Sequence, residues 1–365
     1  MKFKSTKEDL LKAIQILQNV VSSKATLPIL SNLLIETQKG KIFMAATDLD
    51  VGISLTFTPL AISEEGSITI PAKRFSDIVR ELPDGEANII ARKNNSVSIE
   101  IHKCFFKLMG LPKEEFPKIP KLTEKEGITL NQSLLRNMLN LTSFAVSHDE
   151  TRYILNGVLF VVKDKSIRLV ATDGRRLALI EKELEVGAGF KKEAIIPTKA
   201  IQELMRNLGD EGAVKIIFGE NQISFQFNNI SLISRLIEGQ FPNYEQIVPK
   251  EGKGKITVDR EQFLWAAKRA AILTSADSQS IKLDLFKDKL IFSKNSPDMG
   301  EAKEEIDIEH KGSEFSIGFN PHYLIDVLKS LKDPQISFEL SGPENPGIIR
   351  VPDNYVYIVL PMQLS

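Results

Sequence analysis

Chemistry in this chain of 365 residues could reside in three places. His148-Asp149-Glu150 offers an imidazole beside two carboxylates, a set suited to acid–base or metal work. The other histidines, His102, His310 and His322, are scattered without metal-ligand spacing, so a surface loop is the better reading. Gly252-Lys253-Gly254-Lys255 resembles part of a phosphate loop. It lacks the preceding glycine, and Ile256 stands where a Ser or Thr would bind magnesium, so it reads as a flexible seam. Asp48 and Asp173 invite pairing as catalytic carboxylates, but each follows a Thr in equivalent stretches 125 residues apart. A repeated residue more often has a repeated structural task, here bonding the backbone of a turn. There is no Gly-x-Ser-x-Gly, no Cys–His pairing and no dinucleotide fingerprint. No catalytic residue, metal site or cofactor is expected.

The elements that would position such residues recur. Arg152-Tyr153-Ile154-Leu155-Asn156-Gly157 leads through an apolar hairpin to Val170-Ala171-Thr172-Asp173-Gly174-Arg175-Arg176-Leu177. A weaker copy runs from Ile29-Leu30-Ser31-Asn32 to Ala45-Ala46-Thr47-Asp48-Leu49. Glu115-Phe116-Pro117 matches Gln240-Phe241-Pro242 at the same offset. Three segments also open alike, with a short strand, a capping residue and an amphipathic helix: Phe3-Lys4-Ser5, Ile128-Thr129-Leu130-Asn131 and Ile256-Thr257-Val258-Asp259. Each has a second helix with Pro near its start, after Pro71, Pro197 and Pro321. The spacing predicts three tandem α+β units, each two βαβββ halves, at 1–124, 125–251 and 252–365. Lys118–Gly127 and Val248–Lys255 are the seams. Sheets of such units carry unpaired edges, relieved inside the chain by pairing across the seams and at its ends by another copy.

Apolar content of 42%, a formal net charge of −1 and a lone Cys104 describe a soluble chain from a reducing cytoplasm, with no disulfide and no Cys-rich metal site. No window has the length of a membrane span, and Met1-Lys2-Phe3-Lys4 leads into no apolar run like a signal peptide. The six predicted helices sum to +5 and the remainder to −6. Ordinary solvated helix faces explain this equally well. If all six face one cavity, however, it would attract a polyanion through phosphate contacts that carry no sequence information. The tail from Val359 to Ser365 stays apolar almost to its end. It is either a last strand packed in the core or one wall of a groove whose other wall is Gly174-Arg175-Arg176-Leu177.

Taken together, the chain resembles the bacterial DNA polymerase sliding clamps, the β subunits of the replicative polymerase III. The resemblance is carried by Thr26-Leu27-Pro28-Ile29-Leu30, Arg152-Tyr153, Leu155-Asn156-Gly157, Val170 to Gly174 with Arg176-Leu177-Ala178, Phe241-Pro242 with Tyr244, Arg269 to Leu273, Ile317 to Asn320, and Leu360-Pro361-Met362. It implies three repeats of the clamp fold in a head-to-tail homodimeric ring, helices inside and sheets outside, encircling double-stranded DNA. It also implies a partner-peptide pocket at Leu155, Thr172, Gly174, Arg175, Arg176, Leu177, Pro242, Ile247, Asn320, Tyr323, Val359, Pro361 and Met362. There a clamp loader, the replicative polymerase, translesion polymerases, mismatch-repair proteins and ligase would dock. The DNA-facing set is Lys24, Arg80, His148, Arg152, Tyr153, Lys199 and Arg206. The dimer interface is Arg74, Phe106 and Leu108 against Ile272, Leu273, Glu301, Glu304 and Glu305. Arg175, Gln246 and Phe105 depart from the family's usual His and basic residues, which shifts peptide preference and thins the charge pairing. The rival readings are a repeat-built scaffold without nucleic acid and, behind it, an enzyme acting on nucleic acid.

Overall fold

The computed structural model describes every residue except 22–26, 121, 123–126, 164, 185–189, 250–253, 298, 353 and 365. Lys24, most of the charged run in the first seam, and Gly252-Lys253 therefore lie outside the described residues. Among those described are six α-helices: α1 (Lys7–Leu17), α2 (Ala72–Glu81), α3 (Gln132–Thr142), α4 (Thr198–Asn207), α5 (Arg260–Ala271) and α6 (Pro321–Ser330). Each follows one strand and precedes three, so the βαβββ half occurs six times, with one additional strand at Ala61–Glu64. None of these helices is long and apolar enough to cross a membrane.

Helices α1, α5 and α6 start where a side chain holds a free amide. Asp259 accepts from the Gln262 amide at 2.8 Å, and Asn320 from the His322 amide at 3.0 Å. The first cap falls on Thr6, which accepts from the Asp9 amide at 3.0 Å, rather than on Ser5. Ser5 lies on the inward face of its strand and is fully buried, so its hydroxyl does not reach the helix end.

Within each repeat the leading strand leaves its own half and pairs with the meander of the other. Lys2–Thr6 joins Glu86–Ala91, while Gly66–Pro71 joins Asn32–Gln38. Gly127–Asn131 joins Ala213–Phe218, and Lys192–Pro197 joins Gly157–Lys163. Lys255–Asp259 joins Gln335–Glu339, and Phe315–Phe319 joins Ile281–Leu285. Neither half can complete a sheet alone.

Pairing then continues past the repeats. Val51–Phe57 runs antiparallel to Ile230–Arg235, with Ile53 opposite Leu232. Arg176–Glu183 runs antiparallel to Tyr355–Val359, with Leu177 opposite Ile358. The result is two eight-stranded sheets, one five-stranded and one four-stranded. By contacts the chain divides into two compact units, Met1–Leu135 with Lys199–Leu236, and Arg136–Thr198 with Ile237–Ser365. The first holds the five-stranded sheet and one eight-stranded sheet; the second holds the other eight-stranded sheet and the four-stranded one. The strands of the middle repeat are shared between them, because each eight-stranded sheet is continuous across a seam.

In the second unit, Phe263 packs edge-on to Phe292 at 5.2 Å and tilted to Phe338 at 5.4 Å, with Phe319 6.1 Å from Phe338. Gly254 approaches Leu340 so closely that a Cβ would lie 2.0 Å from its carbonyl oxygen, which makes this glycine part of a packed strand entrance rather than a phosphate loop. Gly157 works in the same way: a Cβ there would stand 2.5 Å from the Ile196 carbonyl oxygen and 2.9 Å from Ile237. Gly157→Ala is therefore expected to destabilise the chain by about 1–3 kcal/mol through overpacking. A urea melt reads this as a lowered midpoint, and an unchanged midpoint would refute the close approach.

Candidate functional site

Arg176 organises the site, and it begins as a turn. Thr172 and Asp173 end the strand Ser166–Thr172, and Gly174 takes φ 85°, a value that suits glycine. The Thr172 hydroxyl donates to the Arg176 carbonyl at 2.5 Å and accepts from the Gly174 amide at 3.1 Å. One Asp173 oxygen accepts the amides of Arg175 and Arg176 at 2.9 and 3.0 Å. The earlier copy does the same, with Asp48 accepting the amides of Asp50 and Val51 at 3.1 and 2.7 Å. Both aspartates thus serve turns. Asp149 likewise accepts from the Thr151 amide at 3.0 Å and caps a short 3₁₀ turn, Glu150–Leu155.

Val51 stands where the second copy has Arg176, and there the two turns diverge. The Arg176 side chain is only 8% exposed and every face of its guanidinium is engaged. Nε donates to Asp173 Oδ2 at 3.0 Å, Nη1 to Asp326 Oδ2 at 2.7 Å, and Nη2 to the Phe144 carbonyl at 2.6 Å. The cation lies 4.5 Å from the Tyr323 ring centroid and 5.6 Å from that of Phe144. Burial works against the charge; Tyr357, Asp326 and Asp173 outweigh it and leave the guanidinium above its ordinary pKa. Burial pushes the Tyr357 hydroxyl up as well, and that hydroxyl donates to the Tyr323 carbonyl at 2.8 Å.

Arg176 therefore ties strand, α6 and the last strand together. Val359 is opposite Arg176 in the ladder, and the Leu360 amide donates to the Arg175 carbonyl at 2.9 Å. Met362 bridges to Gly318, its amide 2.8 Å from that carbonyl. The tail is thus packed up to Val359 and turned toward the surface after it, combining the two alternatives. Beneath lies an apolar floor of Leu177, Leu179, Phe241, Tyr244 and Ile358, with Leu155 packed against it. Ile247 and Leu360 stay exposed, as do Pro242, Gly174 and Arg175; Pro361 and Met362 are half-buried. Asn320 caps α6, which carries Tyr323. No local pattern in the sequence links Asp326, Phe144 and Tyr357 to Arg176, from which they lie 32 to 181 residues away.

The predicted DNA-facing residues are exposed, but three are already paired. Lys199 bonds Asp48, Arg206 bonds Glu203 at 2.5 Å, and Arg152 lies 3.6 Å from Asp149. Arg80, His148 and Tyr153 are exposed, and Lys24 is outside the described residues. Of the predicted interface, Ile272 is 73% exposed and Phe106 half-open, while Leu108 is turned into its own core. Phe105 and Met109, on the other face of that edge strand, are 60% and 61% exposed. Glu304 is bound by Arg269, and Glu305 by Lys289 at 3.1 Å. Among the described residues no three metal-ligating side chains gather.

Comparison with known proteins identifies the class. Residues 1–120, 129–243 and 245–363 match the N-terminal, central and C-terminal domains of the DNA polymerase III beta subunit. The Beta sliding clamp of Chlamydia pneumoniae is 33% identical over 364 residues, covering 100% of this chain and 99% of that protein. Crystal structures of the Pseudomonas aeruginosa DNA polymerase III subunit beta and the Bacillus subtilis sliding clamp superpose with TM-scores of 0.94 and 0.95. Their identities are 33% and 32%, with full coverage of both chains. The chain belongs to the bacterial beta sliding clamp family, three-domain processivity factors that are accessory subunits rather than enzymes.

Removing the Arg176 charge would leave Asp173, Asp326 and the Phe144 carbonyl without the guanidinium that pairs them. Arg176→Met is expected to cost about 3 kcal/mol of stability, the usual range for breaking one side of a buried pair. Chemical denaturation checks it, and a loss below about 1 kcal/mol would mean that the network carries little.

Proposed function

We propose that two copies of this chain close head to tail into a ring around double-stranded DNA. The observation that carries this reading is a pair of dissimilar sheet ends, one in the first repeat and one in the last. Cys104–Met109 ends the five-stranded sheet, and Gly300–Asp307 ends the four-stranded one. The first edge presents Phe105, Phe106 and Met109; the second presents Glu301, with Ile272 and Leu273 just past the end of α5, the helix that packs on that strand. Edges of this kind invite another strand. An apolar centre with charges around it, Arg74 against Glu301, Glu304 and Glu305, suits a stable contact. Since Glu304 and Glu305 already hold partners of their own, apolar contact carries more of the closure than charge pairing does.

In this reading the domains are 1–124, 125–251 and 252–365, and the six helices face the DNA. Lys24, Arg80, His148, Arg152, Tyr153, Lys199 and Arg206 supply weak, sequence-independent attraction. Internal ion pairs at Lys199 and Arg206 fit a ring that slides, since such cations exchange carboxylate for phosphate without a fixed register. A clamp loader places the ring in the cytoplasm, on the nucleoid. The replicative polymerase, translesion polymerases, mismatch-repair proteins and ligase then take turns at the pocket around Arg176. Burying one Leu or Phe of a partner peptide is worth roughly 1.5–3 kcal/mol, so two or three anchors give exchangeable binding.

With loader and nucleotide, the chain should be retained on nicked circular DNA and lost once that DNA is linearised. Equal loss from both forms would support the protein-only scaffold. In the same assay Leu155→Ala with Met362→Ala should weaken capture of a polymerase-derived peptide at least tenfold while retention on circles persists. Undiminished peptide capture would refute the pocket.

A further inference from the structure

Trp265 is the single tryptophan of the chain, and it is not in the core. It lies on α5 with half its surface exposed, while its neighbours Phe263, Leu264, Ala266 and Ala267 are buried. The Lys268 ammonium sits 4.1 Å from the centre of its ring. Arg269 is taken up by Glu304, and Arg260 by the Asp333 and Leu328 carbonyls and Glu261. Lys268 has instead an aromatic face, a partner that a phosphate can displace. The packed neighbour α6 adds an exposed Lys329. An exposed indole with a cation beside it offers an unpaired base a stacking face and its phosphate a charge.

We infer that Trp265 and Lys268 form a binding site for single-stranded DNA, the indole stacking an unpaired base and Lys268 turning to the adjoining phosphate. Bases in a duplex are already stacked on one another and have no free face to offer. A base exposed in a single strand has one, and stacking on an aromatic is tolerant of sequence. The site thus distinguishes unpaired from paired DNA, which the diffuse cationic set does not. It rests on the reading that this chain works on DNA and adds to it a second, local contact that responds to strandedness.

The lone tryptophan supplies its own probe. Titrating the full chain with an oligo-dT of about 20 nucleotides should quench its emission, and a duplex of the same length should leave the emission unchanged. In anisotropy with labelled oligo-dT, Trp265→Ala should weaken binding between about five- and a hundredfold, and Trp265→Phe should restore most of it. Lys268→Gln should flatten the dependence of log affinity on log salt by about 0.7, the value of one single-strand phosphate. Trp265 is exposed and Lys268 half-buried, and an unchanged far-ultraviolet circular dichroism spectrum checks that the variants fold. The inference is overturned if oligo-dT binds without changing the emission, if the duplex quenches equally, or if Trp265→Ala binds normally. It is also overturned if the emission follows protein concentration alone, which would assign the indole to a contact between copies. Retention on nicked circles separates the two levels: if it persists when the quenching fails, only the single-strand site is lost.

Discussion

An unpaired strand edge is the constraint on which this structure depends. Every backbone amide and carbonyl in a sheet needs a partner, and a strand without a neighbour seeks one. The chain meets that need first by exchange: the leading strand of each half completes the other half's meander. It meets it again across the seams, where Val51–Phe57 takes Ile230–Arg235 and Arg176–Glu183 takes Tyr355–Val359. Short bridges guard two further edges, Thr69 to Leu111 and Gly318 to Met362. Among the edges that remain are Cys104–Met109 in the first repeat and Gly300–Asp307 in the last, and those two differ in character, one apolar and the other acidic.

The second seam shows how a repeated turn acquires a lock in only one of its copies. The turn at Thr172-Asp173-Gly174 is the same device as the turn at Thr47-Asp48-Leu49, and both close through Asp-to-amide bonds. In the first copy the third residue after Thr-Asp is Val51, which simply continues the sheet. In the second it is Arg176, held by Asp173, Asp326 and the Phe144 carbonyl. That lock fixes where the last strand ends, and so where Leu360, Pro361 and Met362 emerge. A buried ion pair of this kind is a costly way to gain stability and a good way to fix a geometry.

Much of this was legible in the sequence, for identifiable reasons. The three openings and the Pro-led second helices are local, periodic signals, so the helices and βαβββ order could be read directly. Edge pairing across the seams followed from the repeat. The exchange of leading strands was not legible, because Lys2–Thr6 meets Glu86–Ala91 some 80 residues on and either meander offers similar alternating apolar residues. Nor was the ring of partners around Arg176, since Phe144, Asp326 and Tyr357 share no motif with it. At the proposed interface, family resemblance pointed to Phe106 and Leu108. Strand alternation instead turns Leu108 inward and leaves Phe105 and Met109 outside, a matter of register that a sequence does not display.

The two open edges also make the account simple to challenge. If they are complementary, one chain is an incomplete object in solution, and its mass should report this without DNA, loader or partner. Sedimentation equilibrium of the purified chain at micromolar concentration should give twice the mass of a single chain. Replacing Ile272 and Leu273 with Ala should shift the population toward one. A wild-type chain that sediments only as a monomer at that concentration would contradict the closure on which everything else rests.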